Sequence, residues 1–382
     1  MNEAKELAQA DAGFAKPRLP IGPVMPDAKA DAAMGPMIFS AWYVIAKSTD
    51  VGDTLTPIRV LGEPLVHYRK ADGTPVVLDD RCAHRRYPLS RGRRVGDTIE
   101  CGYHGFTYEN SGKCIWAPGA PADASLNFGV RAYPCAERGP WLWVWMGPPE
   151  QADPQQIPMP DVLDRPDDTV CGYKLNPCNY LMLIENLLDL SHLHFVHDAA
   201  DRDSVSVVPE EAPAPPNGVA WRKVVEEAEV LLAAHFAGGD PKRRVRQEDG
   251  TTQFGPSLCF GYQRRDPLPD DDTPVVPALI QIAHAVTPLD ERQTHQFFMT
   301  VISDPLVVEP AQMLHLLQEI VFEQDVEVVA QVQANVDADR RQGRTEVNMP
   351  YDRFGLRMRR ILADMKAREI DYAASSHPGN RI

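Results

Sequence analysis

Two short runs of metal-binding side chains constrain this chain more than anything else in it. They are Cys82-Ala-His84 and, after sixteen further residues, Cys101-Gly-Tyr-His104. Each run offers one thiolate and one imidazole, so a shared metal centre would force two separate loops to meet. Thiolate beside imidazole suits zinc or iron–sulfur chemistry. Zinc sites more often pair like ligands, as Cys-X-X-Cys or His-X-X-X-His. The mixed pattern fits better a [2Fe–2S] centre with Cys82 and Cys101 on one iron and His84 and His104 on the other, the Rieske arrangement. Neutral imidazoles carry less negative charge than thiolates, so they raise the reduction potential and leave that side of the cluster near the surface.

The chain has 382 residues, enough for two domains with sizeable cores. From Phe39 the texture is short β-branched or aromatic runs, such as Trp42-Tyr-Val-Ile-Ala and Thr74-Pro-Val-Val-Leu, punctuated by Gly and Asp. That predicts an antiparallel all-β domain over 39–150 containing both ligand loops. Trp141, Trp143 and Trp145 alternate along its last strand, which puts their indoles on one face as core or as an interface. Residues 1–38 are rich in Ala, Pro and Asp and read as a mobile or extended arm. Residues 151–168 are Pro- and Asp-rich and read as a linker. Residues 169–382 read as an α+β domain, an antiparallel sheet covered by helices. Helices are expected over Asn179–His197, from Glu309 to about Arg341, and from Arg353 to about Ala374.

The net charge of −15 argues against a nucleic-acid binder. The five cysteines outside the two runs are scattered and odd in number, which speaks against a disulfide framework and for a reducing compartment. No apolar run of about 18 residues is present, and the N-terminal residues lack a signal-peptide core. A cytoplasmic protein without a membrane partner is expected.

A second metal site is suggested along the 179–197 helix, which carries Asn186, Asp189, His192, His194 and His197. Asp189 and His192 are three apart and share a face. His192 and His197 are five apart, about 140° around an ideal helix. They can share a metal only if the helix loosens, for example in a π-type turn. Geometry alone favours His194 with His197. Two histidines need a carboxylate to make the facial triad of non-haem Fe(II). Glu319, Glu323, Asp325 and Glu327 are candidates, and spacing does not choose among them.

The Cys82/His84/Cys101/His104 motif, followed by Glu185-Asn-Leu-Leu-Asp189-Leu-Ser-His192-Leu-His-Phe-Val-His197, resembles the oxygenase α-subunits of Rieske non-haem iron oxygenases. The resemblance covers about 40–382. It is nearer to the aromatic O- and N-demethylases than to the ring dihydroxylases, whose helix motif is one residue longer. Phe322-Glu-Gln-Asp325 with Gln331 resembles the group's carboxylate-ligand segment, although an acid usually stands where this chain has Gln324. The resemblance therefore implies a [2Fe–2S] cluster, mononuclear Fe(II) on His192, His197 and Asp325, and O₂ as co-substrate. It implies a homotrimer in which Asp189 bridges His104 of one subunit to His192 of the next by hydrogen bonds. Electrons would come from NAD(P)H through a ferredoxin or ferredoxin reductase. The substrate would be a small aromatic compound, losing an O- or N-alkyl group as an aldehyde, with Asn186 near the iron and His284 reaching the substrate. Ring hydroxylation or cis-dihydroxylation is the second reading. A pure Rieske electron carrier is the third, and it does not fit the second motif. Carriers also hold an extra cysteine in each loop, where this chain has Tyr87 and Tyr103.

Arg81, Arg85, Arg86, Arg91, Arg93 and Arg94 crowd the first ligand loop of an acidic chain. They predict a docking face for an acidic electron donor. His295 reads as a structural histidine.

Overall fold

The computed structural model describes residues 34–121, 124–163, 169–197, 202–229, 244–268, 279–303, 310–342, 344 and 346–376. Most of the N-terminal arm, 1–33, lies outside them. Its last residues are firmly seated: Ile38 is fully buried and Tyr180 Oη donates to the Pro36 carbonyl at 2.6 Å. The Gly35 N–H donates to Asn179 Oδ1 at 2.9 Å, and a Cβ at Gly35 would stand 2.6 Å from the Tyr180 ring.

The N-terminal strands are β1 (Trp42–Lys47), β2 (Thr56–Val60), β3 (Glu63–Arg69), β4 (Pro75–Asp79), β5 (Arg93–Val95), β6 (Thr98–Glu100), β7 (Thr107–Tyr108), β8 (Cys114–Trp116), β9 (Cys135–Arg138) and β10 (Trp141–Trp145). They pair antiparallel as β1–β10–β9, β2–β3–β4 and β5–β6–β7–β8. The two ligand loops follow β4 and β6, which lie in separate sheets, and they meet at their tips, where the His84 and His104 rings are neighbours.

The C-terminal strands β11 (Thr169–Asn176), β12 (Glu210–Glu211), β13 (Val219–Glu229), β14 (Arg244–Phe254), β15 (Leu258–Asp266), β16 (Leu279–Pro288) and β17 (Thr294–Ser303) form one antiparallel sheet, ordered β11–β17–β16–β15–β14–β13–β12. Helices α1 (Tyr180–Leu188), α2 (Pro310–Leu316), α3 (Phe322–Gln342) and α4 (Arg353–Ser376) accompany it. The fold class is the α+β arrangement expected. No described helix is long and apolar enough to cross a membrane.

The β10 alternation sorts its residues between two cores. Trp141, Trp143 and Trp145 pack with Leu258, Ala283, Ala285, Phe297 and Met299 of the large sheet, while Leu142 and Val144 face the cluster that includes α1. The indole face is thus the seam between the two halves of the chain. Ile157, Met159 and Leu163, from the segment read as a linker, are buried in the same seam. Three 3₁₀ turns punctuate this stretch, Pro149–Gln151, Pro154–Gln156 and Asp161–Leu163, the last of which holds Leu163. Its described part, up to Leu163, is a packed strap.

Two helices differ from expectation. The continuous helix over Asn179–His197 does not form. α1 ends at Leu188, Asp189 is extended at φ −110° and ψ 94°, and a 3₁₀ turn (Leu190–His192) and one short helical turn (Leu193–Val196) follow. Asp189 ends one helix and caps the next, its carboxylate accepting from the Ser191 N–H at 2.8 Å. This break removes the angular conflict between His192 and His197. A π-turn does occur, but on the facing element: Leu317–Val321 lies between α2 and α3, so the single long helix from Glu309 is interrupted just before Phe322 and Asp325.

Candidate metal centres

The two ligand loops repeat one backbone design. In the first, the Cys82 N–H donates to Tyr87 O and the Arg86 N–H to Cys82 O. In the second, the Cys101 N–H donates to Phe106 O and the Gly105 N–H to Cys101 O. The fourth residue after each cysteine is left-handed, Arg86 at φ 59° and Gly105 at φ 76°. Glycine accepts that conformation freely, whereas at Arg86 it is strained and held by the turn. Cys82 and Cys101 are buried; His84 and His104 are exposed, with ring centroids 4.7 Å apart. Inner thiols beneath outer imidazoles match the asymmetry that a Cys₂His₂ cluster requires. Tyr108 Oη lies 3.1 Å from Cys82 Sγ and accepts from the Ala83 N–H at 3.0 Å, so its own proton is available to the sulfur. Tyr103, Ile115, Trp116 and Phe128 present large exposed apolar side chains on the same ligand-loop module.

The second site is assembled from α1's end, the two short turns after it, and the start of α3. His192, His197 and Asp325 offer ligand atoms all within 4.8 Å of one another. His197 Nε2 is 3.1 Å and His192 Nε2 3.6 Å from Asp325 Oδ1. His192 Nδ1–H donates to the Asp189 carbonyl at 2.6 Å, and His197 Nδ1–H to Gln324 Oε1 at 2.9 Å. Both Nε2 atoms therefore face the carboxylate. His194 is not among the grouped ligands. Within the chain Asp189 reaches His192 through its main-chain carbonyl, while its Oδ1 accepts from the Ser191 N–H.

Burial pushes the Asp325 pKa up, but His197, His192 and Asn186 outweigh it and hold the pKa below its usual value. Burial lowers the His192 pKa. For His197 burial works in the same direction, yet the Asp325 and Gln324 contacts win and its pKa rises. Asn186 Nδ2 donates to Asp325 Oδ1 at 3.3 Å, and its Oδ1 is buried with no hydrogen-bond partner. Two imidazoles and a carboxylate, with an orphaned acceptor beside them, fit a non-haem Fe(II) site.

A cavity of about 160 Å³ opens onto these three residues, walled by Leu190, Ile282, Val321 and Phe322 among others. His284 lines it, buried, stacked edge-on against Phe322, and hydrogen-bonded to Gln296 at 2.9 Å. Burial lowers its pKa to about 4, so it is neutral. His295 stands apart, fixed between Tyr173 Oη and the Arg59 carbonyl. A larger groove of about 820 Å³ between the two halves of the chain contains none of the metal-site residues. Sequence reasoning missed Tyr108 and Gln296 entirely and met Gln324 only as a departure. Their roles follow from contacts between distant segments.

The arginine island is smaller than its sequence suggests. Arg81 pairs with Asp79 and Glu63, Arg93 with Glu100, and Arg94 with Asp97. Arg85, Arg86 and Arg91 are exposed, with no ion pair among the described residues.

Comparison with known proteins agrees with this geometry. The Rieske [2Fe–2S] domain family matches residues 41–134, and the vanillate O-demethylase oxygenase C-terminal domain family matches 177–368. Dicamba O-demethylase, oxygenase component, of Stenotrophomonas maltophilia is 34% identical over 206 residues, covering 53% of this chain and 57% of that protein. The toluene-4-sulfonate monooxygenase iron-sulfur subunit TsaM1 of Comamonas testosteroni is 37% identical over 162 residues, covering 42% and 46%. The chain thus spans about half the length of these relatives. A crystal structure of dicamba monooxygenase bound to dicamba superposes with TM-score 0.76 at 25% identity, over 87% of this chain and 98% of that one. The chain belongs to the Rieske non-haem iron oxygenases, in the group defined by the vanillate O-demethylase oxygenase C-terminal domain.

Proposed function

We propose that this chain is the oxygenase component of a multi-component monooxygenase that removes an O- or N-linked alkyl group from an aromatic compound. The observation that carries this reading is the convergence of His192, His197 and Asp325 on an apolar cavity, in a chain that also presents Cys82, His84, Cys101 and His104 as a cluster site. When bound, the two centres supply stored electrons and O₂ activation, with electrons drawn from NAD(P)H through a ferredoxin or reductase. The net change is hydroxylation of the carbon beside the heteroatom; the resulting hemiacetal or hemiaminal falls apart to an aldehyde.

The protein's own residues have separable tasks. The Asp189 carbonyl and Gln324 fix the tautomers of His192 and His197, so that each presents Nε2. Asn186 orients Asp325, and His284 meets the substrate as a neutral imidazole held by Gln296. Leu190, Ile282, Val321 and Phe322 exclude water. We take 39–150 as the cluster domain, 151–168 as the strap and 169–382 as the catalytic domain. Asp189 and His192 also line an outer groove of about 390 Å³ with Val328, Val332 and Val347. That groove suits the apolar tip around Tyr103 and Trp116 of a second copy, as in a trimer with Asp189 at the contact. Arg85, Arg86 and Arg91 form the docking face for the electron donor. Seven cysteines without a disulfide suit the cytoplasm.

The test is a screen of methoxy- and N-alkyl-aromatics with a surrogate reductase, scored for aldehyde. Aldehyde release that disappears in Asp325→Ala, with the cluster still present, is the expected result. A cis-diol or phenol without aldehyde overturns the reading.

A further inference from the structure

Among the described strands of the large sheet, glycine stands at Gly172, Gly250 and Gly261. The first two make room for a ring. A Cβ at Gly172 would stand 2.1 Å from Phe298 Cζ, and one at Gly250 2.2 Å from Tyr262 Cε1. At Gly261 the nearest atom would be Ile282 Cγ2 at 3.7 Å, with Thr251 Oγ1 at 4.0 Å, which is ordinary contact. Its backbone is not left-handed either. Neither packing nor conformation asks for a glycine there. A glycine inside a strand costs stability, and where nothing in the protein fills its place it marks a close approach by something else.

What lies over Gly261 is the cavity at the iron site. Register sets the residue between Thr251 on β14 and Ile282 on β16, and alternation puts it on the same face of β15 as Cys259 and Gln263. All five line the cavity. Gly261 is therefore a bare patch in a sheet floor that side chains cover on every side. It lies two residues along β15 from Cys259, the partner of His284, which is about 7 Å of strand. The cavity volume of about 160 Å³ is close to the volume of about 150 Å³ that takes one benzene ring.

We propose that Gly261 determines which aromatic rings this enzyme accepts: the ring lies against the bare main chain there, and the absent side chain is the space its substituents occupy. This rests on the oxygenase reading above and adds a size limit to it. A methyl group at this position meets no protein atom closer than 3.7 Å, so the protein does not have to give way. In a space of one ring's volume, the ligand has to.

The probes are anisole and 3,5-dimethylanisole, titrated calorimetrically into the iron-loaded enzyme. The native protein should bind the dimethyl ring at least as tightly as the parent, because the added methyl groups are buried. Gly261→Ala should shift the ratio of the two affinities against the dimethyl ring by about tenfold or more, the effect of a methylene-sized misfit in an apolar pocket. The thermal midpoint separates this role from a structural one. It should be no lower in Gly261→Ala than in the native protein, whereas Gly250→Ala, which drives a methyl group into the Tyr262 ring, should lower it. An unchanged ratio in Gly261→Ala, a lower midpoint in that variant, or no saturable binding of either ring by the native enzyme overturns the proposal. Aldehyde is scored separately. Formaldehyde from both rings, with a ratio indifferent to Gly261→Ala, removes the size limit and keeps the dealkylase reading. A shifted ratio with no aldehyde from any alkoxy-aromatic keeps the size limit and removes that reading.

Discussion

Replacing Gln324 by alanine should loosen the mononuclear iron while leaving the iron–sulfur cluster in place. Gln324 precedes the proposed ligand Asp325 on α3, and its Oε1 accepts from His197 Nδ1–H at 2.9 Å. An amide oxygen can only accept, so this bond keeps the proton on Nδ1 and leaves Nε2, 3.1 Å from Asp325 Oδ1, as the metal donor. In Gln324→Ala the ring loses its orientation and its tautomer preference, with only water to replace the acceptor. Loss of such a partner behind a metal histidine costs about 10- to 100-fold in affinity, roughly 1.4 to 2.7 kcal/mol. Iron retained per chain is measured after dialysis against a graded Fe(II) chelator, with the visible absorbance of the cluster as internal control. The chelator midpoint should fall by that factor at constant cluster absorbance. Gln324→Glu, which supplies a charged acceptor, should move it the other way. If Gln324→Ala holds iron as the native protein does, or loses both centres together, the reasoning is wrong.

Tyr108→Phe should keep the cluster but lower its reduction potential, because the Tyr108 hydroxyl 3.1 Å from Cys82 Sγ favours the more negative, reduced state. A bond worth about 1 kcal/mol corresponds to roughly 40 mV for one electron, and voltammetry that finds no downward shift would remove this role. His67 is 4% exposed, its Nδ1 has no partner, and burial lowers its pKa to about 4. The unfolded chain, titrating near about 6.5, takes the proton first, so stability falls as pH drops from that value toward the folded pKa and levels off below it. His67→Gln should flatten the denaturation-midpoint loss between about pH 7.5 and pH 5 by about 2 kcal/mol, with the His284 contribution still present; an unchanged slope would contradict it.

The sequence alone determined the kinds of chemistry present and their order along the chain. Cys82, His84, Cys101 and His104 are legible because ligand type and spacing within a loop are local properties. So is the indole face of β10, since alternation along a strand dictates which residues share a side. Tertiary structure decided what periodicity left open. An ideal helix sets His192 and His197 on different faces, and the break at Asp189 that reunites them follows from an extended Asp189 capping a new turn. Which acid meets those histidines was equally open, because Glu319, Glu323, Asp325 and Glu327 share one stretch, and only the placement of the π-turn against the sheet aims Asp325 at them. The same holds for charge. Six arginines look alike in the sequence, but half have acids waiting on neighbouring strands, and Arg265, an ordinary cation on paper, is buried beside an aspartate already committed to Lys223. Composition counts charges, whereas only packing decides which of them are paired, because pairing depends on distances across strands that are remote along the chain.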